Sequence, residues 1–258
     1  MSKIDANQAQ LNFAKLCVEN LDQSIDFYSG IIGLEASPIF EYEAAENNIW
    51  NVPEGTQVKQ TICQREKSDI GQLLLIEFPD LKGEYIRSDL EGGMIRGFWN
   101  INFYVKDIFK SVETLESKGY FSWSKPTEHQ IGDKVGTPIE VIVDGPDGIA
   151  INLVQLPNNS ENESIQKMCE FFNANGTTAK GFTEIVTTSH CVSDTLAASE
   201  FYSKALGMNK MFSDELSSKS SNQFLRRPDK GRTLITFMQG RHFYGKIALS
   251  EPINYSVP

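Results

Sequence analysis

Ala14-Lys15-Leu16-Cys17-Val18-Glu19-Asn20 and Thr188-Ser189-His190-Cys191-Val192-Ser193-Asp194 are two copies of one short pattern. Cys17 and Cys191, Val18 and Val192, and Asn20 and Asp194 are each separated by 174 positions. The register holds beyond them, with Phe27-Tyr28 against Phe201-Tyr202 and Gly33 against Gly207. Half of that offset, 87 positions, carries Val18 to Val105 in Asn102-Phe103-Tyr104-Val105-Lys106-Asp107, and Ser24 to Ser111. A constant offset held at several positions marks an internal repeat, here of three units.

Each unit opens on an alternating, β-prone run and turns helical at an Asp or Asn. In the second unit Trp99, Ile101, Phe103 and Val105 fall on one strand face, and Asn100, Asn102 and Tyr104 on the other. Asp107 then stands at an N-cap position before a periodic run that ends at Lys118 and a stopping Gly119. Comparable helices are expected over 22–32 and 196–206, stopped by Gly33 and Gly207, because the residue after a helix often needs a positive φ. Extended segments follow in each unit: 57–64 and 72–78, then 137–143 and 149–156, then 233–238 and 245–249. Asp144-Gly145-Pro146-Asp147-Gly148 joins the middle pair with turn chemistry.

The unit is therefore a βαβββ module, and the fold class is α+β. Modules at about 8–80 and 92–157 make a first domain, 1–157. Residues 158–180 form a connecting helix and linker, with Ser160-Glu161-Asn162-Glu163 as a capping box and Ile165, Met168, Cys169 and Phe172 as the apolar face. Residues 181–258 form the third module.

Composition narrows the function classes. A net charge of −10 over 258 residues argues against a nucleic-acid partner, which is held mainly by Lys and Arg. No apolar run approaches the length of a membrane helix, so no membrane association is expected. The four cysteines are scattered without a CxxC pair, as reduced thiols of a cytoplasmic protein would be.

The run from Val18 to Tyr28, ending on Ile32-Gly33-Leu34, resembles the opening signature of the vicinal-oxygen-chelate superfamily, the glyoxalase/bleomycin-resistance/dioxygenase group. Phe201-Tyr202 and Leu206-Gly207 repeat it, and Asp144 to Val154 resembles the family's closing strand with one inserted Gly. The resemblance implies that paired modules curve into a U-shaped cleft. It implies a cleft between modules one and two, with module three left to find its partner in an absent fourth module or in trans, as in a homodimer.

The resemblance also implies a divalent metal (Fe, Mn, Ni or Zn) held by His from first strands and Glu from closing strands. Counting seven back from Asn20, Asp107 and Asp194 gives Phe13, Asn100 and Thr187, and the closing-strand position falls on Leu75, Asn152 and Ala248. These are poor ligands for a divalent ion. Glu77 is the weak metal candidate, reached if the register slips by two. His129, His190 and His242 show no ligand spacing, and His190 falls on the helix-packing face of its strand.

No cofactor is therefore expected. Phe13 and Lys15 from module one, with Asn100, Asn102, Tyr104 and Asn152 from module two, are the candidate ligand-binding residues. Asn is disfavoured in strands, and paired amides both donate and accept hydrogen bonds to a small polar or aromatic molecule. No catalytic residue is assigned. The alternative is an enzyme, a lyase, isomerase or ring-cleavage dioxygenase, whose metal ligands depart from the family pattern. Arg226-Arg227-Pro228-Asp229-Lys230-Gly231-Arg232 is expected as a hairpin loop, with anion binding as its alternative.

Overall fold

The computed structural model describes residues 11–87, 89, 91–128 and 137–258. Module one runs β1 (Phe13–Cys17), α1 (Leu21–Ile25, continued by a wider turn over Asp26–Ile31), β2 (Glu35–Ala36), β3 (Phe40–Glu43), β4 (Gln57–Gln64) and β5 (Gln72–Glu77). Module two runs β6 (Gly97–Val105), α2 (Ile108–Glu116), β7 (Thr127–Glu128), β8 (Ile139–Asp144) and β9 (Ala150–Gln155). A connecting helix, α3 (Glu163–Asn175), leads to module three. That module comprises β10 (Phe182–Cys191), α4 (Thr195–Leu206), β11 (Asn209–Leu216), α5 (Lys219–Phe224), β12 (Thr233–Gln239) and β13 (Lys246–Pro252).

The helix starts follow from capping. Asn20, Asp107 and Asp194 accept backbone N–H bonds from Gln23, Lys110 and Ala197 at 2.9, 3.0 and 2.8 Å. A second cap recurs in every module, from the end of its own last strand. Glu77 accepts from Leu21 N at 2.7 Å, Gln155 from Ile108 N at 2.8 Å, and Glu251 from Thr195 N at 2.8 Å. An acceptor at this position satisfies one of the free amides of the first helical turn. The connecting helix is capped by Asn162, not Ser160; the Ser160 hydroxyl instead accepts from Asn162 N at 3.1 Å.

In each module the first strand lies parallel to the last: β1 beside β5, β6 beside β9, β10 beside β13. The modules then divide unequally between two sheets. Module one makes its own, in the order β1-β5-β4-β2 with β3 also on β4. Modules two and three share an eight-stranded sheet, β11-β12-β13-β10-β6-β9-β8-β7, because β6 and β10 pair antiparallel. The expected pairing of modules one and two is thus replaced by two with three, and among the described residues the odd module is the first. The physical cause lies in the connector: α3 returns the chain so that β10 runs down the open edge of β6.

Module one packs on the back of module two. Leu16, Leu21, Phe27, Ile32 and Leu75 join Ile101, Phe103, Leu115, Val141 and Phe182 in one core. The Phe27 and Tyr120 rings meet edge-on at 4.5 Å. Asp147, held at φ 55° in the turn before β9, accepts from Glu19 N and from the Ser24 hydroxyl. A buried ion pair completes the junction. The Arg65 Nε and Nη2 donate to Glu184 at 2.6 and 3.2 Å, and Ser68 and Asn175 add bonds to the same carboxylate. Burial pushes the Glu184 carboxyl up, but Arg65, a backbone amide and Ser68 together outweigh it and hold it below the usual range. Beside it, Gly71 has φ 62° and a Cβ there would lie 2.2 Å from Ile185 O, so only glycine fits this close approach.

Removing one member of a buried pair strands the other charge. Arg65→Met is expected to destabilise the protein by about 3 kcal/mol in urea denaturation. A loss below about 1 kcal/mol would show that Glu184 is satisfied without Arg65.

Candidate functional site

The concave face of the eight-stranded sheet carries a cleft in two chambers. Asn102, Glu140, Phe212 and Phe237 line both and form the waist between them. The first chamber, about 160 Å³, is closed by Asn162, Ser164, Ile165 and Met168 of the α3 region and floored by Tyr104, Val186, Thr187 and Lys246. The second, about 100 Å³, lies between Asn100, Asn152 and Ser189 on the floor and Phe224 and Leu225 at the end of α5. The walls are mostly apolar with a few convergent polar groups, the usual make-up of a small-molecule cleft.

The floor polar groups form one network across the module boundary. Asn152 Nδ2 donates to Asn102 Oδ1 at 2.9 Å and to Glu140 Oε2 at 2.6 Å. Asn102 Nδ2 donates to Asn100 Oδ1 at 2.7 Å, and the Ser189 hydroxyl donates to the same oxygen at 3.0 Å. Asn102 Nδ2 also reaches the Thr187 carbonyl at 3.1 Å. Two amide atoms of this network remain buried and without a partner, Asn100 Nδ2, a donor, and Asn152 Oδ1, an acceptor; the indole Nε1 of Trp99, which lines the same chamber, is a third such atom. Buried polar atoms are nearly always paired, so these atoms are exceptions within an otherwise bonded network.

Of the expected ligand residues, Asn100, Asn102, Tyr104 and Asn152 are brought together here. Phe13 and Lys15 are not. They lie on the open face of module one's separate sheet, where Lys15 Nζ sits 5.4 Å from the Trp50 ring centre. Their expected role required modules one and two to share a curved sheet, and among the described residues the two lie in separate sheets. In their place module three supplies Thr187, Ser189 and Lys246. The repeat contained the signal, since Asn100 and Asn102 plus 87 are Thr187 and Ser189. Lys246 and Glu140 carried no motif.

The shared helix cap fixes the closing-strand register. Three residues before Glu77, Gln155 and Glu251 stand Leu74, Asn152 and Ala248, so module one's position is Leu74 rather than Leu75. Glu77, the weak metal candidate, is the α1 cap and points away from the concave face. His190 stacks on Phe98 at 5.3 Å, off the cleft, with its Nε2 3.1 Å from the Thr188 hydroxyl. His242 Nδ1 accepts from Tyr244 N at 2.9 Å, and burial lowers its pKa. His129 lies outside the described residues.

A divalent metal does not fit this floor. Its floor donors are neutral amides and hydroxyls already bonded to one another; the carboxylates lining the cleft are Glu140 and, in the second chamber, Asp214, with no imidazole or thiolate beside them among the described residues and the Lys246 amine in the first chamber. Among the described residues no group of three or more His, Cys, Asp or Glu comes together. The Arg226–Arg232 run is consumed internally. Arg227 bonds Asn222, Thr233 and the Leu216 carbonyl, and Arg232 forms a two-point contact with Glu215. Arg226 lies over the Trp123 ring.

This geometry of paired modules and concave cleft agrees with the comparisons. The model of the Glyoxalase/Bleomycin resistance protein/Dioxygenase superfamily matches residues 10–153, and the chain belongs to that family. A lactoylglutathione lyase of Pseudomonas aeruginosa is 25% identical over 155 residues, spanning 58% of this chain and 84% of that protein. Glyoxalase I from Zea mays superposes with a TM-score of 0.62 at 15% identity, covering 96% of this chain and 69% of the maize protein. A Bacillus subtilis protein described as a dioxygenase of the same fold gives 0.58 at 12%, covering 96% and 65%. At these identities the two structures speak for the fold. Among the described residues no helix is long and apolar enough to cross a membrane.

His190 provides a test of the strand assignment. Burial holds its pKa down at about 4, below the unfolded value of about 6.5. The unfolded chain therefore binds the extra proton first, and stability falls as pH drops from about 6.5 to about 4. His190→Gln is expected to flatten that part of the stability curve, by on the order of 1–3 kcal/mol at its acid end, in urea melts taken across the window. An unchanged slope would place the acid sensitivity elsewhere.

Proposed function

We propose that the chain binds a small polar or aromatic molecule in the cleft between modules two and three, without a bound metal. The observation that carries this reading is the stranded pair on the floor, Asn100 Nδ2 and Asn152 Oδ1, one donor and one acceptor. A ligand with a hydroxyl or primary amide group, which both donates and accepts, satisfies both, while its apolar body lies against the stacked rings of Phe212 and Phe237, 4.7 Å apart. Selectivity follows from the same atoms. A ligand lacking the polar group leaves two buried atoms unpaired, which costs about 1–3 kcal/mol each.

A second reading is a lyase or ring-cleavage oxygenase, supported by family membership and the lactoylglutathione lyase similarity. The amide floor favours the binder, because that chemistry would ask these residues to hold a Lewis-acidic ion. The free edge of β1 among the described residues is where a second copy would pair if the protein is a homodimer, as β6 pairs with β10. The four unpaired cysteines support a cytoplasmic setting.

Native mass spectrometry before and after incubation with Fe(II), Mn(II), Ni(II) and Zn(II) is expected to show no stoichiometric metal. In a thermal-shift screen of small polar aromatic compounds, at least one is expected to raise Tm for the wild type. Asn152→Leu is expected to weaken that compound's binding ten- to a hundredfold. A stoichiometric metal would overturn the metal-free reading, and a hit indifferent to Asn152→Leu would overturn the floor as its site.

A further inference from the structure

Lys246 opens β13 and lines the first chamber while only 2% exposed. Its Nζ donates to the Phe243 carbonyl at 2.6 Å and lies 5.4 and 5.8 Å from the ring centres of Tyr104 and Tyr244. It forms no ion pair with any described carboxylate. The other charged or titratable groups around it are accounted for. Glu140, in the same chamber, is bonded by Asn152; His242 is packed on Tyr244; and Glu184, beyond Tyr244, is locked to Arg65. An ammonium buried this deeply without a counter-charge is costly, and one carbonyl with two ring faces compensates it only in part. Burial accordingly brings its pKa down to about 7.

A second feature of the chamber points the same way. Asn162, Ser164 and Ile165, at the N-terminus of the 13-residue helix α3, form the wall of this chamber. The Ser164 and Ile165 amides are already taken by the Asn162 side chain, so what this wall adds is the helix's partial positive charge rather than free donors. The remaining walls are apolar: Val154, Val186, Met168, Phe212 and Phe237.

We propose that Lys246 is the counter-ion for a carboxylate on the ligand, so that the chamber takes a small monocarboxylic acid with an apolar, ring-sized body. This rests on the cleft-binding reading and names its ligand class. A phosphate group fits less well. It carries close to two charges at neutral pH, whereas the chamber offers one ammonium and the hydroxyl of Thr187, and Glu140 opposes a dianion. A carboxylate is matched by one cation and a hydroxyl donor, which Lys246 and Thr187 supply.

Isothermal titration calorimetry with phenylacetate, and with phenylacetamide as its neutral analogue, tests the proposal on wild type and Lys246→Met. Wild type is expected to bind phenylacetate at least tenfold more tightly than the amide just below pH 7. Lys246→Met, its fold checked by circular dichroism, should lose that preference and still bind the amide. Wild type supplies an arm that needs no variant. Above about pH 7 phenylacetate affinity should fall about tenfold per pH unit, with proton uptake on binding visible as a buffer-dependent enthalpy. Equal affinity for the two probes, or a preference that survives in Lys246→Met, overturns the carboxylate assignment and leaves the cleft as a binding site. No binding of either probe overturns both.

Discussion

The antiparallel pairing of β6 with β10 is the constraint on which the rest of the molecule depends. Each is the first strand of its module, and each would otherwise present a row of unpaired amides and carbonyls at a sheet edge. Joining them closes both edges at once and sets Phe182 opposite Val105 and Ile185 opposite Phe103. It also places residues 87 positions apart in neighbouring strands, so that Asn102 and Ser189 meet across the seam. The cleft floor is built on that seam. Module one contributes no floor residue. It packs against the opposite face and ties itself to β10 through Arg65 and Glu184.

The chemistry of the floor follows from its position at the centre of a wide sheet. Polar side chains there are shut off from water, so each must find a partner in the protein or in a ligand. Asn102 is fully engaged, Asn100 and Asn152 are each half engaged, and Lys246 has donors to spare. The gradient from satisfied to unsatisfied groups runs outward from the seam into the two chambers. Neutral groups of this kind can orient a polar group but stabilise little charge, and they are weaker donors to a divalent ion than imidazole or carboxylate.

Much of the architecture was legible because repetition amplifies weak signals. The three capped helices, the strands at 57–64 and 72–77, and the α+β class with paired modules follow from caps, alternation and the constant offset. Asn100, Asn102 and Asn152 stood out because amides in strands contradict local propensity, and Tyr104 because it shares their strand face; the structure brings the four to one face of the sheet. The partner of module two was not legible, because one alternating strand pairs as readily with either neighbour until a connector decides. That error removed Phe13 and Lys15 from the cleft and hid Lys246. The strand β11 and the helix α5 were missed as well. NKMFSDEL alternates poorly, with four of its eight residues charged or amide, and α5 is a single short stretch without an apolar stripe. Glu77 looked available as a ligand because a lone carboxylate at a strand end reads the same whether it faces a cleft or caps a helix.

The connecting helix α3 has no counterpart among the described residues between modules one and two, so the symmetry of the repeat does not govern its sequence. Yet it forms a wall of the first chamber. Residues in the β6 and β10 seam are held by pairing on both sides and tolerate little change, whereas α3 answers mainly to its own cap and one apolar face. The cleft therefore joins a rigid recognition floor to a wall that can vary independently. Under the proposed reading, drift in that one helix would retune which body fits the chamber while the polar floor stays the same.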